Sequence, residues 1–361
     1  MTFTTVSLRY LIILATIAYA SPAMGQASPT HAPDTKPFVI HRMPIPGDFA
    51  FAEAVDVNRH GEAPGSVGGP SGTRATLYVR NQVHILEDLG GLTNYAVGVN
   101  DSGQVAGSVQ AHPWWGSRAA RWNPDGSIQV MLPLSGNEHD NCWATAINGP
   151  GDIVGHSQVS NGMARAFLWR VDEGCFDLGT FGGPYSQATD VNDHGVVVGW
   201  ADDSGAGRLA FIWEEGVLTA LESPQGTVPG SRAQAINNEG VVVGGIAGEV
   251  WGATRAAFWD ASGKVREIHG LDGFSSIAND INDRGTIVGE LQDEAGRRAF
   301  LHESGHTRDL NEFVPAGSGW SFERAVAISD DGRIIVTGRA DGEHASFILA
   351  PRTTRSLDFG N

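Results

Sequence analysis

A short phrase returns seven times along the chain: a small apolar run ending in Asn, a turn rich in Asp and Gly, and a valine-rich run closing on Gly. The clearest copies are ATDVNDHGVVVG at residues 188–199, AQAINNEGVVVG at 233–244 and ANDINDRGTIVG at 278–289. Weaker copies centre on Asn58, Asn100 and Asn148, and the last carries Ser329 in the Asn place. Subtracting successive positions (58, 100, 148, 192, 237, 282, 329) gives spacings of 42, 48, 44, 45, 45 and 47. A sustained period of this length belongs to a solenoid or a propeller.

Each period carries signals for four short strands and none for a long helix. The residues before the Asn form a first strand, and a turn such as Asn192-Asp193-His194-Gly195 folds it back on the valine-rich second. After a loop of variable length comes an Ala-aromatic-Trp strand (165–169, 209–213, 255–259), then an acidic turn with Gly and a less apolar fourth strand. Four strands per period make a propeller blade, whereas a parallel β-helix would need shorter coils and no reversing hairpins. The seventh copy has three strands, near 325–329, 333–338 and 345–350, and no good fourth. An orphan apolar run at 37–43 resembles fourth strands elsewhere and is expected to complete the last blade, closing the ring and removing its open edge. The expected fold is therefore an all-β, seven-bladed β-propeller over residues 37–351, with a short tail at 352–361.

Residues 11–20 are apolar, preceded by Arg9 and followed by small residues, the order of a secretory signal peptide. The run is short for a bilayer. The expectation is a signal over 1–25, a flexible leader over 26–36, no membrane span, and an exported, monomeric protein in the periplasm or outside the cell. A formal charge of −17 argues against nucleic acid, because phosphate binding needs a basic surface. The two cysteines, Cys142 and Cys175, fall on the innermost and outermost strands of one blade. Three strand steps separate them by roughly 14 Å, beyond disulfide reach, so two free thiols are expected, with Cys142 the more exposed.

The strings GDIVG at 151–155, ARAFLW at 164–169 and DLGTFGG at 177–183 resemble the HAF-type extracellular repeat family. The namesake His-Ala-Phe is Arg-Ala-Phe here, at Arg165 and Arg298. The resemblance implies export and a β-repeat fold, and carries no activity with it.

Repeats offer an internal comparison. Positions alike in every blade serve the fold; positions that differ at one place are free for function. Trp122, Trp169, Trp213 and Trp259 share one place and are assigned to the core, and the basic residue opening the third strand (Arg74, Arg118, Arg165, Arg255, Arg298, with His344 last) is assigned to a structural hydrogen bond. Two places behave oppositely. Five residues before the Asn stand Glu53, Tyr95, Trp143, Gln187, Arg232, Ile277 and Arg324; directly after the second-strand Gly stand Ser66, Ser108, His156, Trp200, Gly245, Glu290 and Arg339. Aromatics, carboxylates and arginines ringing a channel mouth suit a sugar, whose ring face stacks on aromatics while hydroxyls or a carboxylate bond the polar groups. Two long loops add His112, Trp114 and Trp115, and His139 with Asp140, to the same face.

No H-E-x-x-H, Walker loop or Gly-x-Ser-x-Gly elbow occurs, and the histidine spacings match no standard metal pattern, so neither metal nor other cofactor is expected. Three functions remain open: binding of a glycan or other small polar ligand; an acidic-polysaccharide lyase on the same face, with Tyr95, His112, His139 or His156 as acid and base and Arg232 or Arg324 neutralising the sugar carboxylate; and a protein-docking scaffold.

Overall fold

The computed structural model describes residues 37–110, 116–205, 207–223, 230–248, 253–271 and 275–352. They form seven separate four-stranded antiparallel sheets. Blades 1 to 6 take residues 51–85, 95–130, 142–179, 182–220, 232–267 and 275–309; blade 7 takes three strands from 320–351. Its fourth is the N-terminal strand Phe38–Arg42, which pairs with Glu343–Pro351 from Phe38↔Pro351 to Arg42↔Phe347. The protein is a seven-bladed β-propeller whose ring is closed by its two chain ends. No helix among the described residues is long and apolar enough to cross a membrane.

The repeated phrase has a backbone explanation. The Asn192 carbonyl accepts the N–H of Gly195, whose φ of +76° suits glycine. The Asn192 side-chain oxygen accepts from His194 and Val196 N–H at 3.1 and 3.0 Å, while its amide donates to the Asn237 carbonyl of the next blade at 3.2 Å. The same inter-blade bond runs from Asn58 to Asn100, Asn100 to Asn148, Asn148 to Asn192, Asn237 to Asn282 and Asn282 to Ser329, at 3.0 to 3.1 Å. Asparagine is needed because it accepts within its own turn and donates to the next one. Ser329 has no amide to donate, and there Arg333 reaches round to the Arg59 carbonyl at 2.8 Å. The recurring Gly of the second strand also has a cause: a Cβ on Gly199 would collide with the Gln187 carbonyl oxygen of the first strand.

The core lies between blades. Trp122, Trp169, Trp213 and Trp259 are all buried, each against the blade before it. Trp213 packs with Leu168, and Trp259 with Ile212. Trp122 and Trp259 donate their indole N–H to the carbonyls of Glu87 and Glu222 in that preceding blade, at 2.8 and 2.7 Å. Cation and ring meet where Arg121 stands 5.1 Å from the Trp169 centroid. Third-strand arginines bond within their own blades in two cases, Arg255 to Glu267 at 2.9 Å and Arg298 to Asp309 at 3.0 Å, while Arg74 donates to the Gly91 carbonyl, in the segment after its blade, at 3.0 Å.

Both cysteines are free. Their exposure reverses the expected order: Cys142 is fully buried and Cys175 only partly so. Cys142 belongs to the apolar cluster between blades 2 and 3, with Ala119, Met131 and Phe167, and the Arg118 guanidinium donates to the Asp140 carbonyl at 2.6 Å and to that of Glu138 in the adjoining loop. Burial pushes the thiols up, Cys142 to about 11 and Cys175 to about 12, which keeps both protonated and unreactive.

Candidate functional site

The two variable places turn out to be cross-strand neighbours. Glu53 pairs with Ser66, Tyr95 with Ser108, Trp143 with His156, Gln187 with Trp200, Arg232 with Gly245, and Ile277 with Glu290. Each pair therefore shares one face of its blade. That face meets the next blade: a Cβ on Gly245 would touch Ile277 at 3.5 Å, and Glu290 lies 3.9 Å from Arg324. In blade 7 the first strand carries two irregularities, between Phe322 and Arg324 and between Ala325 and Ala327. Arg324 keeps the shared register and pairs with Thr337, the same 13 residues on (337 − 324) as Ser66 is from Glu53 (66 − 53), whereas Arg339 pairs with Ser321. Gly338 stands nine residues after Ser329 (338 − 329) where Gly199 stands seven after Asn192 (199 − 192), so taking the residue after Gly338 put Arg339 at a place that Thr337 occupies.

Trp143 and His156 form the best-defined part of this face. Their rings stack with centroids 4.9 Å apart and planes 28° apart. The His156 Nδ1 is buried and has no partner, and burial lowers its pKa, leaving a neutral imidazole. Next along the ring, Trp200 carries the Arg208 guanidinium 3.5 Å above its ring, steadied by Asp202 at 3.4 Å. Tyr95 is 42% exposed. His139 is exposed beside its own turn, while His112, Trp114 and Trp115 lie outside the described residues.

None of these residues lines the central channel cavity, a space of about 290 Å³ built from the last residues of the seven first strands and the turns that follow. Here the structure adds something unread in the sequence. In blades 2 to 6 one residue bulges from the first strand: Val97, Thr145, Thr189, Gln234 and Asn279. Thr145, Thr189 and Asn279 donate to the Ala188, Ala233 and Ala325 carbonyls of the next blade, at 2.8, 3.1 and 2.8 Å. Beside them Asp56, Asp190 and Asp280 each accept a backbone N–H of the next blade, from Val99, Ile236 and Ile328 at 2.9, 2.8 and 2.7 Å. The signal was present, since Asp stands two places before the Asn in only three copies.

Burial in the channel raises all three carboxyls, and their mutual repulsion, with Asp101 and Asp193 nearby, adds to it. Asp190 is moved from 3.8 to about 6 and Asp280 well above its ordinary value. Because the folded state holds these protons more tightly than the unfolded chain, the stability they contribute is complete below about pH 4 and is lost as pH rises through the folded values. The melting temperature should accordingly climb as pH falls from about 8 to about 5. For Asp190 alone the displacement is worth at most about 3 kcal/mol. The double substitution Asp190→Asn with Asp280→Asn should flatten the profile. A wild-type melting temperature that stays level or drops over that interval refutes the assignment.

Fold and site together define the class: a seven-bladed propeller with a variable inter-blade face at one end of its channel. Residues 217–341, from the last strand of blade 4 into blade 7, match a family described as a protein of unknown function, DUF3466. No curated protein sequence matches significantly. Among solved structures, YCF48 from Cyanidioschyzon merolae is 14% identical, with a TM-score of 0.52 over 86% of this chain and 98% of that one. A catalytically inactive virginiamycin B lyase from Staphylococcus aureus with quinupristin is 12% identical, with a TM-score of 0.51 over 87% and 100%. A polysaccharide lyase is 9% identical, with a TM-score of 0.50 over 84% and 91%. At such identities the likeness is one of fold.

Proposed function

We propose that this is an exported propeller that binds a glycan or other small polar ligand on the face where the first strands begin, across blades 2 to 5. The observation that carries the reading is the Trp143–His156 stack, with a buried imidazole nitrogen left without a partner. An aromatic face beside an unpaired polar atom is what a sugar needs: a surface for its C–H groups and a partner for a hydroxyl. Tyr95, Gln187, Trp200 and Arg232 are the neighbouring contacts, with Arg324 and Glu290 on the far side of the ring.

A second reading has its own support. A neutral His156 is in the protonation state of a general base, so an acidic-polysaccharide lyase, with Arg232 or Arg324 meeting the sugar carboxylate, uses the same face. The fold likeness includes a polysaccharide lyase.

Calorimetric titration with oligogalacturonate and with neutral oligosaccharides tests binding, and the growth of unsaturated-uronate absorbance tests cleavage. Trp143→Ala is expected to weaken binding by about tenfold or more, with little change in melting temperature. Undiminished binding in Trp143→Ala removes this face from the function.

A further inference from the structure

One blade breaks the tryptophan pattern without replacing what it removes. The residue opposite the first apolar residue of the second strand is Trp122, Trp169, Trp213 and Trp259 in blades 2 to 5, but Tyr78, His302 and Leu349 in blades 1, 6 and 7. Around Tyr78 the space is taken by Met43, and around Leu349 by Phe313, Leu310 and Phe38. Around His302, a cavity of about 530 Å³ opens among Phe258, Arg266, Glu267, His269, His302 and Gly305, and no described residue fills it. Phe258 stands where Ile212 stands beneath Trp259.

The hydrogen bond of the missing indole survives in another form. Trp259 donates directly to the Glu222 carbonyl, two residues past the fourth strand of the preceding blade. At the equivalent place, His269, the Thr307 hydroxyl donates to the carbonyl at 2.6 Å and also meets His302 Nδ1 at 2.8 Å. With the Thr307 proton committed to His269, His302 Nδ1 must be the donor to Thr307, and Nε2 is left as an acceptor. The cavity wall carries one cation and one anion, Arg266 and Glu267. Glu267 is paired with Arg255, while Arg266 has only a loose, exposed contact to Asp260 at 3.5 Å.

We propose that the groove between blades 5 and 6 is a binding site for a small planar heteroaromatic carboxylate. Its ring occupies the place that an indole side chain fills in the neighbouring blades, resting on Phe258, with a ring N–H toward His302 and the carboxylate on Arg266. A cavity of this size accommodates a bicyclic ring and a short acidic arm.

Indole-3-acetate and neutral indole are suitable probes, titrated into the full mature chain by calorimetry. Saturable binding of indole-3-acetate is expected, about tenfold tighter than indole. His302→Trp supplies the ring from the protein itself and should abolish binding of both, with a melting temperature equal to or above wild type. Arg266→Ala, an exposed change that leaves the packing intact, should weaken indole-3-acetate to the level of indole. Absence of saturable binding, or unchanged indole-3-acetate affinity in either variant, overturns the proposal.

Discussion

Removing residues 1–43 should yield a chain that does not reach a soluble native state, whereas removing 1–36 should be tolerated. The deleted strand makes the ladder from Phe38↔Pro351 to Arg42↔Phe347, and the Met43 N–H adds a bond to the Ser346 carbonyl at 2.9 Å. It also contributes core: Met43 is 5% exposed, and Phe38 packs edge-on against Phe313 with centroids 5.3 Å apart. Without it the strand Glu343–Pro351 becomes an unpaired, apolar edge, the arrangement that invites association between chains. Size-exclusion chromatography and thermal melts of both truncations decide the matter. A monomeric 44–361 chain melting like wild type would mean that the N-terminal strand does not close the ring.

Trp259→Ala should cost about 3 to 5 kcal/mol, the range for emptying a large buried aromatic site. Trp259 is 0% exposed, and its loss also strands the Glu222 carbonyl, which accepts the indole N–H at 2.7 Å. Denaturant unfolding gives the number directly. Trp143→Ala, on the open face, provides the contrast, and equal losses in both would contradict the division between packing and surface positions.

Blade number, strand order and ring closure were all legible because each depends on local pattern: alternating apolar residues, an Asn-x-x-Gly turn, and one orphan strand before the first copy to match the one missing from the last. The core tryptophans were legible for the same reason, since a shared repeat position is a shared environment. What escaped depends on register or on side chains from a neighbouring blade. The bulge in the first strands of blades 2 to 6 changes no residue type in a consistent way, so nothing announced that Thr145, Thr189 and Asn279 would bridge to the next blade. The longer second strand of blade 7 put Arg339 opposite Ser321, away from the place assigned to it, while Arg324 kept its own. Cys142 was misjudged because its burial comes from Ala119 of the preceding blade and from Met131, which packing brings against it. The channel aspartates were visible as letters, but their proximity to one another exists only once seven strands converge on one axis.

The closing pair, Phe38 with Pro351, spans 313 residues (351 − 38), so the first strand to be synthesised waits for the last. Contacts of such separation form late, after their loop-closure cost has been met. A chain that terminates before Glu343 lacks the partner for Phe38–Arg42, and one that terminates before Arg333 also lacks the residue that joins the final turn to the first at the Ser329 seam. Sealing of the ring thus acts as a test of synthesis: only a chain that extends through Glu343–Pro351 can pair the strand Phe38–Arg42, and every product that stops short of it displays an open edge to the proteases and chaperones that read one.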